Sequence, residues 1–472
     1  MAEINWMEEV QKRKEQLLAD TIGLLKIKSV LDEEHATEDA PLGIGVRDAL
    51  LYMLSKGDKS GFTTKNLDNL AGHIEFGSGE ELIGVLCHVD VVPEGDGWST
   101  DPYSGEIKDG KIFARGALDD KGPTMAAFYA VKILKELGLS LSKRVRIIIG
   151  TDEESNWRCV KHYFEHEEMP SSGFAPDADF PIINAEKGIS SMDLLYKKEN
   201  NSIAEAAYIV ESFTAGRRYN MVPDYADAVL ATNLAEINGL KEQFQQYIQS
   251  HQLQGRIEEV NGKIQLAVEG ISAHAMEPDN GKNAGIYLAA FLSNQKLDKA
   301  SKGYFTFINE TFFGDTRGKN LQVAYADDIS GELTVNAAIF SYHSKEGGKI
   351  GINFRYPVTF NMEKGKETIE KLVQTKGFTI GSFSDSKPHH VDKNNPLIKT
   401  LQKVYEEQTG EKAELLSIGG GTYARSLTSG VAFGPLFPGK PDVAHQKDEY
   451  IEIADLLKAT AIYAQAIYEL GK

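Results

Sequence analysis

The stretch from residue 80 to 185 constrains the fold most. Its short apolar runs, LIGVLCHVD, KIFARG, RVRIIIGTDEES and FPIINAEKG, are separated by turn residues. Between the second and third lies GPTMAAFYAVKILKELG, with Pro123 in the first turn of an expected helix and Gly138 just past its end. Short apolar strands alternating with a helix predict an α/β layer sheet, in which functional residues gather where strands end. Ahead of this stretch, Trp6, Val10, Leu17, Leu18, Leu24 and Leu25 recur at helical spacing among charges and predict a surface helix over 6–27.

From about 187 to 384 the texture differs. Strand-like stretches (AAYIVESF, ADAVLATN, KIQLAVEG, LTVNAAIFSYH, GKIGINFRYP) alternate with helices near 235–251, 283–297 and 361–374, the pattern of an α+β domain. The last stretch holds a helix (NPLIKTLQKVYEEQTG), the glycine loop SIGGGTYAR, a short strand GVAFG and a closing amphipathic helix, pieces that suit the first sheet. The expectation is therefore a discontinuous α/β domain over 1–186 and 385–472, a central mixed sheet with helices on both faces, and an α+β domain inserted at 187–384. A chain of 472 residues is long enough to require more than one core.

Fifty-one Lys and Arg against 69 Asp and Glu leave a formal charge of -18, which repels nucleic-acid phosphates and anionic lipid heads. No nucleic-acid or membrane partner is expected. Cys87 and Cys159 are the two cysteines, too few for a disulfide framework, and fit a reducing compartment. The first twenty residues lack a signal-type apolar core, and no run approaches the roughly 18 apolar residues of a membrane span. The expected location is the cytoplasm.

In LIGVLCHVDVVP an apolar strand delivers His88 and then Asp90, which share a face, so Asp90 could hold the His88 ring. Cys87 points the other way and reads as a buried, inert thiol. In ARGALDDKG, Asp119 and Asp120 precede a helix, where one of the pair can act as a cap. The strand VRIIIG ends in Asp152, Glu153 and Glu154, like charges that only a wet surface or a cation tolerates. Asp177 and Asp179 precede another strand, and His445 comes much later. Imidazole and carboxylate ligands in this number suit two ions of zinc, manganese or cobalt.

The strings HVDVVPEGDGW, ARGALDDKG, GTDEES, APDADFP and VAHQKDEY, in that order, resemble the metal-site motifs of the dinuclear zinc peptidases that include aminoacylase, carnosinase and glutamate carboxypeptidase. The whole chain is similar to the PepV-type bacterial dipeptidases among them. That resemblance implies a metallopeptidase that hydrolyses dipeptides with a free C-terminus through a metal-bridged hydroxide. It implies that His88 and Asp177 bind one metal, Glu154 and His445 the other, and that Asp119 bridges them. Glu153 would be the general base and Asp90 a supporting catalytic residue. In the middle block, RRYNMVP, ISAHAM and INFRYP resemble the lid of the same dipeptidases, implying substrate contacts from Asn220, His274 and Arg355, with His274 also stabilising the oxyanion. The loop GGGTY implies backbone donors near the substrate at Gly420, Gly421 and Thr422. Zinc is the default ion, with manganese or cobalt as alternatives. The large middle block resembles the PepV-type lid, which supplies that histidine within one chain, so the resemblance implies a monomer acting on small peptides. The alternatives are an N-acyl amino acid deacylase or carboxypeptidase on the same site, or a non-catalytic relative, against which the intact Glu153 argues.

A rival pattern is His162-Tyr-Phe-Glu165-His166, an H-x-x-E-H string that places two histidines on one helix face. Its short acidic segment, with no completing ligand downstream, favours a solvated helix face. The glycines at 419–421 lack a nucleotide-cradle pattern.

Overall fold

A computed structural model of the chain describes residues 4–197, 206–232 and 237–472. They form two compact units. One comprises Met1–Ala185, His390–Leu416 and Thr422–Lys472; the other comprises Glu186–His389 and Ser417–Gly421. The glycine loop, expected with the first domain, belongs to the second unit up to Gly421.

The central sheet of the first unit runs, in spatial order, Thr63–Leu67, Ala71–Gly77, Arg144–Gly150, Leu82–His88, Ser172–Ala175, Gly430–Ala432 and Ile182–Glu186. The strands from Arg144–Gly150 to Gly430–Ala432 are mutually parallel, and those flanking them are antiparallel. Strands buried on both faces need continuous apolar runs, and Leu82–His88 is buried at every position. Ile83, Val85, Cys87, Ile147, Ile149 and Phe174 face a core shared with helices Lys14–Leu25, Lys121–Glu136, Pro396–Thr409 and Ile453–Gly471. The other face carries Arg146 and His73, which meet Tyr163 of helix Arg158–His166. Cys87 is thus a core thiol, and burial pushes its pKa well up.

The parallel strands end at one edge, which decides where the chemistry gathers. His88 lies opposite Gly150 and Val85 opposite Phe174 in the register. The residues that follow, Asp90, Glu153, Glu154 and Asp177, therefore emerge side by side at the carboxyl edge of the sheet.

The expected single helix over 6–27 is two, Trp6–Gln11 and Lys14–Leu25. The pieces pack on different partners, the first on the closing helix and the second on Lys121–Glu136. Trp6 lies 5.7 Å from the Tyr468 ring and is buried, so this is not a surface helix throughout.

The second unit is built on an antiparallel sheet in the order Gln254–Val260, Lys263–Glu269, Tyr225–Thr232, Tyr208–Ala215, Thr334–His343, Gly347–Tyr356, Gly188–Tyr196 and Phe378–Ser386. Helices Asn238–Ser250, Ala284–Ser293, Lys299–Phe312 and Met362–Gln374 accompany it. Positions 233, 235 and 236 of the expected elements lie outside the described residues. The helix Lys299–Phe312 was not expected, because its β-branched and aromatic residues mask it. It is capped by Asp298, whose carboxylate accepts from Ala300 and Ser301 N–H, and it buries Tyr304, Phe305, Ile308 and Phe312. The cap followed by apolar residues at helical spacing was the available signal.

Candidate metal centre

His88 ends its strand fully buried, and its Nδ1 lies 3.0 Å from the Asp90 carbonyl oxygen. A carbonyl only accepts, so Nδ1 carries a proton and Nε2 is left to face the acids; burial alone would lower the pKa of the ring, but Asp177, Asp119 and Asp90 together push it well up. That Nε2 lies 3.0 Å from Asp119 Oδ1 and 3.5 Å from Asp177 Oδ1. Both Nε2 and Asp119 Oδ1 are buried without a hydrogen-bond partner. A buried imidazole nitrogen and two carboxylate oxygens converging at 3.0 and 3.5 Å form a donor set that suits one cation, so the residues present fit a metal.

The second oxygen of Asp119, Oδ2, lies 3.1 Å from His445 Nε2, which is also 3.0 Å from Glu154 Oε1. Asp119 therefore presents one oxygen to each histidine. Potential ligand atoms fall into two groups, His88, Asp120 and Asp177 in one, and Asp119, Glu154 and His445 in the other. Asp120 enters the first group, although the resemblance implies no ligand role for it. It stands at the N-cap position of Lys121–Glu136 yet makes no side-chain cap bond, so the cap reading is corrected. Its Oδ2 instead accepts from the His88 N–H at 3.1 Å and the Thr124 hydroxyl at 3.2 Å, fixing the His88 backbone.

Asp90 also differs from expectation. Its carbonyl, rather than its carboxylate, makes the close contact with the His88 ring, and the carboxylate Oδ1 stands 3.5 Å away. The other oxygen accepts from the Glu154 N–H at 3.1 Å, which ties one strand end to its neighbour. Glu153 lies outside both ligand groups, although Asp177, His88, Glu154 and Asp119 act on it electrostatically. His445 comes from a loop with φ 61°, an uncommon backbone for a residue with a Cβ.

The electrostatics follow from crowding acids in a dry place. Burial, and then the Asp119 charge, push Asp177 up to about 6 and Glu154 to about 7. Burial and Asp177 raise Glu153 well above its ordinary value. Asp119, despite its burial, is held well below the carboxylate range by His445 and His88. Hydrogen bonds to Asp119 and Glu154 push His445 up to about 11. A cluster this rich in acid attracts positive charge, and the histidines are its partners among the described residues.

Residues of the second unit form their own cluster. The Ala275 N–H donates to the Asn220 carbonyl at 2.9 Å and the Val222 N–H to that of Ala273 at 2.8 Å, which sets Asn220 beside His274. His274 Nδ1 accepts from the Met276 N–H at 3.1 Å, so a neutral ring carries its proton on Nε2, and its side chain is exposed. Desolvation and the nearby Arg355 guanidinium lower its pKa. Arg355 is buried, and it donates to Asn353 Oδ1 at 2.8 Å and to the Gly419 carbonyl at 3.0 Å. Gly420 and Gly421 continue that loop. Thr422 lies in the first unit, where its hydroxyl caps the turn Tyr423–Ser426 by accepting from Ala424 N–H.

The rival histidines stand with ring centres 4.4 Å apart but join no group of three converging ligand atoms among the described residues. His162 Nε2 pairs with Asp68 at 2.9 Å, and His166 Nδ1 meets the His162 carbonyl at 2.9 Å. Tyr423 was missed: its ring meets the His88 ring edge-on at 5.9 Å, and its hydroxyl lies 2.9 Å from Cys159 Sγ. Gly150 permits this, since a Cβ there would come within 1.9 Å of that hydroxyl. A buried pair, Arg115 and Glu449, was also missed, although both stand inside the quoted motifs.

The sequence profile described as Peptidase family M20/M25/M40 matches residues 84–469. A protein of Bacillus subtilis (strain 168) named "Putative dipeptidase YtjP" is 57% identical over 469 residues, covering 99% of this chain and 100% of its own. Among solved structures, aminoacylhistidine dipeptidase from Vibrio alginolyticus aligns with a TM-score of 0.58 at 13% identity, over 97% of this chain and 96% of the other. The Bacillus subtilis YXEP protein, titled a dinuclear metal binding peptidase, aligns with a TM-score of 0.50 at 10% identity, over 98% and 99%.

Proposed function

The chain belongs to Peptidase family M20/M25/M40 and is a hydrolase, and from that premise we propose that it is a two-metal dipeptidase acting on small peptides with a free C-terminus. The observation that carries this reading is Asp119, whose two oxygens face His88 on one side and His445 on the other. His88 and Asp177 would hold one divalent ion, Glu154 and His445 the other, and Asp119 both; zinc is the default, and manganese or cobalt suit the same donors. When bound, such ions polarise a scissile carbonyl and lower the pKa of an attacking water.

Glu153 takes the proton from that water and passes it to the leaving amine. This role needs a carboxylate next to the ligands but outside their groups, and Glu153 answers that description. His274 donates from Nε2 to the oxygen on which negative charge develops, and its lowered pKa keeps it the neutral donor at physiological pH. Asn220 contributes a further polar contact, and the 419–422 segment lines the substrate. The likeness of the middle block to a lid that supplies this histidine within one chain supports an enzyme that acts as a monomer. No helix among the described residues is long and apolar enough to cross a membrane.

Arg355 grips the terminal carboxylate. Two of its donors are already fixed by Asn353 and Gly419, so little is lost in orienting the fork. A charge-assisted contact of this kind contributes about 1.5–3 kcal/mol, or about 10–150-fold in kcat/KM. Wild type is expected to cleave free dipeptides better than C-amidated ones by that factor. Arg355→Lys should lose the same factor on free dipeptides and little more on amides, a non-additivity that kcat/KM across both substrate sets would reveal. Equal cleavage of free and amidated dipeptides by wild type would remove carboxylate capture, and preference for N-acylated amino acids would move the assignment to a deacylase.

A further inference from the structure

We infer that Glu449 is a positioning residue that braces the Asp119 backbone and sets its placement relative to His445. The inference rests on the two-metal reading above. Glu449 is fully buried. Its Oε1 accepts two backbone N–H groups, Leu118 at 2.9 Å and Asp119 at 3.1 Å. Its Oε2 accepts from Arg115 Nη1 at 2.6 Å. Arg115, itself buried, is held in turn: Nη2 reaches the Glu94 carbonyl at 3.3 Å, and the guanidinium lies 5.3 Å from the Trp98 ring centre.

The topology gives this carboxylate its consequence. Glu449 follows His445 by four residues and precedes the strand Tyr450–Glu452, which pairs with Lys111–Phe113 just ahead of Arg115 and Asp119. One side chain therefore ties the segment supplying His445 to the segment supplying Asp119, residues that meet at 3.1 Å. An acid buried so near another acid is unfavourable unless paired, and Arg115 supplies the pairing. Two N–H donors aimed at one oxygen fix the peptide carrying Asp119, so that its oxygens can face both histidines.

Two variants separate bracing from mere stability. In Glu449→Gln the amide oxygen still accepts both N–H groups, but the amide nitrogen faces the Arg115 guanidinium. In the double variant Arg115→Leu/Glu449→Leu the buried charges leave together, a change that proteins often tolerate, and the Asp119 peptide loses its brace. Calorimetric titration of each metal-stripped full-length chain with Zn2+ and, separately, Mn2+ reads the site without activity. The double variant, which leaves the Leu118 and Asp119 N–H groups without an acceptor, is expected to melt earlier than wild type but no earlier than Glu449→Gln, while losing about 10–100-fold in ion affinity, with kcat falling more than KM changes. Glu449→Gln is expected to melt earlier while keeping affinity within about threefold of wild type, the rescue that a brace predicts. Affinity that tracks melting temperature across both variants, or a double variant that binds like wild type, overturns the brace. Wild type that takes up no ions overturns the two-metal reading itself.

Discussion

Glu153→Ala is expected to lower turnover by a factor of about 100–10,000 while the chain still binds two ions. In free energy that is about 3–5 kcal/mol of transition-state stabilisation, at 1.36 kcal/mol per tenfold. The size follows from the role. A residue that only moves protons leaves substrate binding intact, so kcat should fall with KM nearly constant. Metal content should not fall, because Glu153 stands outside both groups of converging ligand atoms. Glu153→Gln, which keeps the shape and removes the basicity, should be as inactive as the alanine variant. Metal analysis and single-turnover kinetics on one preparation decide the matter. Activity within tenfold of wild type would remove Glu153 from its role, and loss of an ion would make it a ligand instead.

Replacing His88 or His445 should go further and take the ions with it. Each supplies an Nε2 to which Asp119 offers one oxygen, and no neighbouring imidazole can substitute. The expected loss of activity exceeds the about 10–100-fold that altering a mere supporting partner produces. His445→Ala is the cleaner experiment, because its side chain is 52% exposed and its removal leaves no cavity in the core. His88→Ala opens a buried hole beside Asp119 and Asp177 and should also lower the melting temperature. As the control, His162→Ala with His166→Ala should leave ion content and turnover unchanged, since those rings pair with Asp68 and a backbone carbonyl at the surface. A metal-free double variant would hand the site to the H-x-x-E-H pattern.

The layout of the first unit and the list of chemically useful residues were legible because both are written locally. An apolar strand four to seven residues long announces itself, and the polar residue after it must sit at a sheet edge. That is why His88, Glu153 and Glu154 stand out as strand-end residues, whereas Asp177, which the sequence places ahead of a strand, follows the short strand Ser172–Ala175 that gives no such signal. Aromatic content hid the helix Lys299–Phe312, where burial of Tyr304 and Phe305 outweighs weak propensity. Local spacing also could not show that the first helix breaks at Lys12 and Arg13, since packing against two different helices divides it.

What the sequence by itself determined is the class of sheet, the edge on which chemistry collects, and the donor types available there. Tertiary structure alone decided how those donors divide the work. Asp119 and Asp120 are adjacent and chemically identical, yet one faces two histidines and the other holds the His88 backbone. One oxygen of the Asp90 carboxylate takes the Glu154 N–H, and the Asp90 carbonyl meets the ring two residues before it more closely than the other oxygen does. Glu449 reaches across 330 positions to the Asp119 peptide. Hydrogen bonds between segments so distant in sequence follow from the pairing of strands, and they leave no periodic trace in the chain that could predict them.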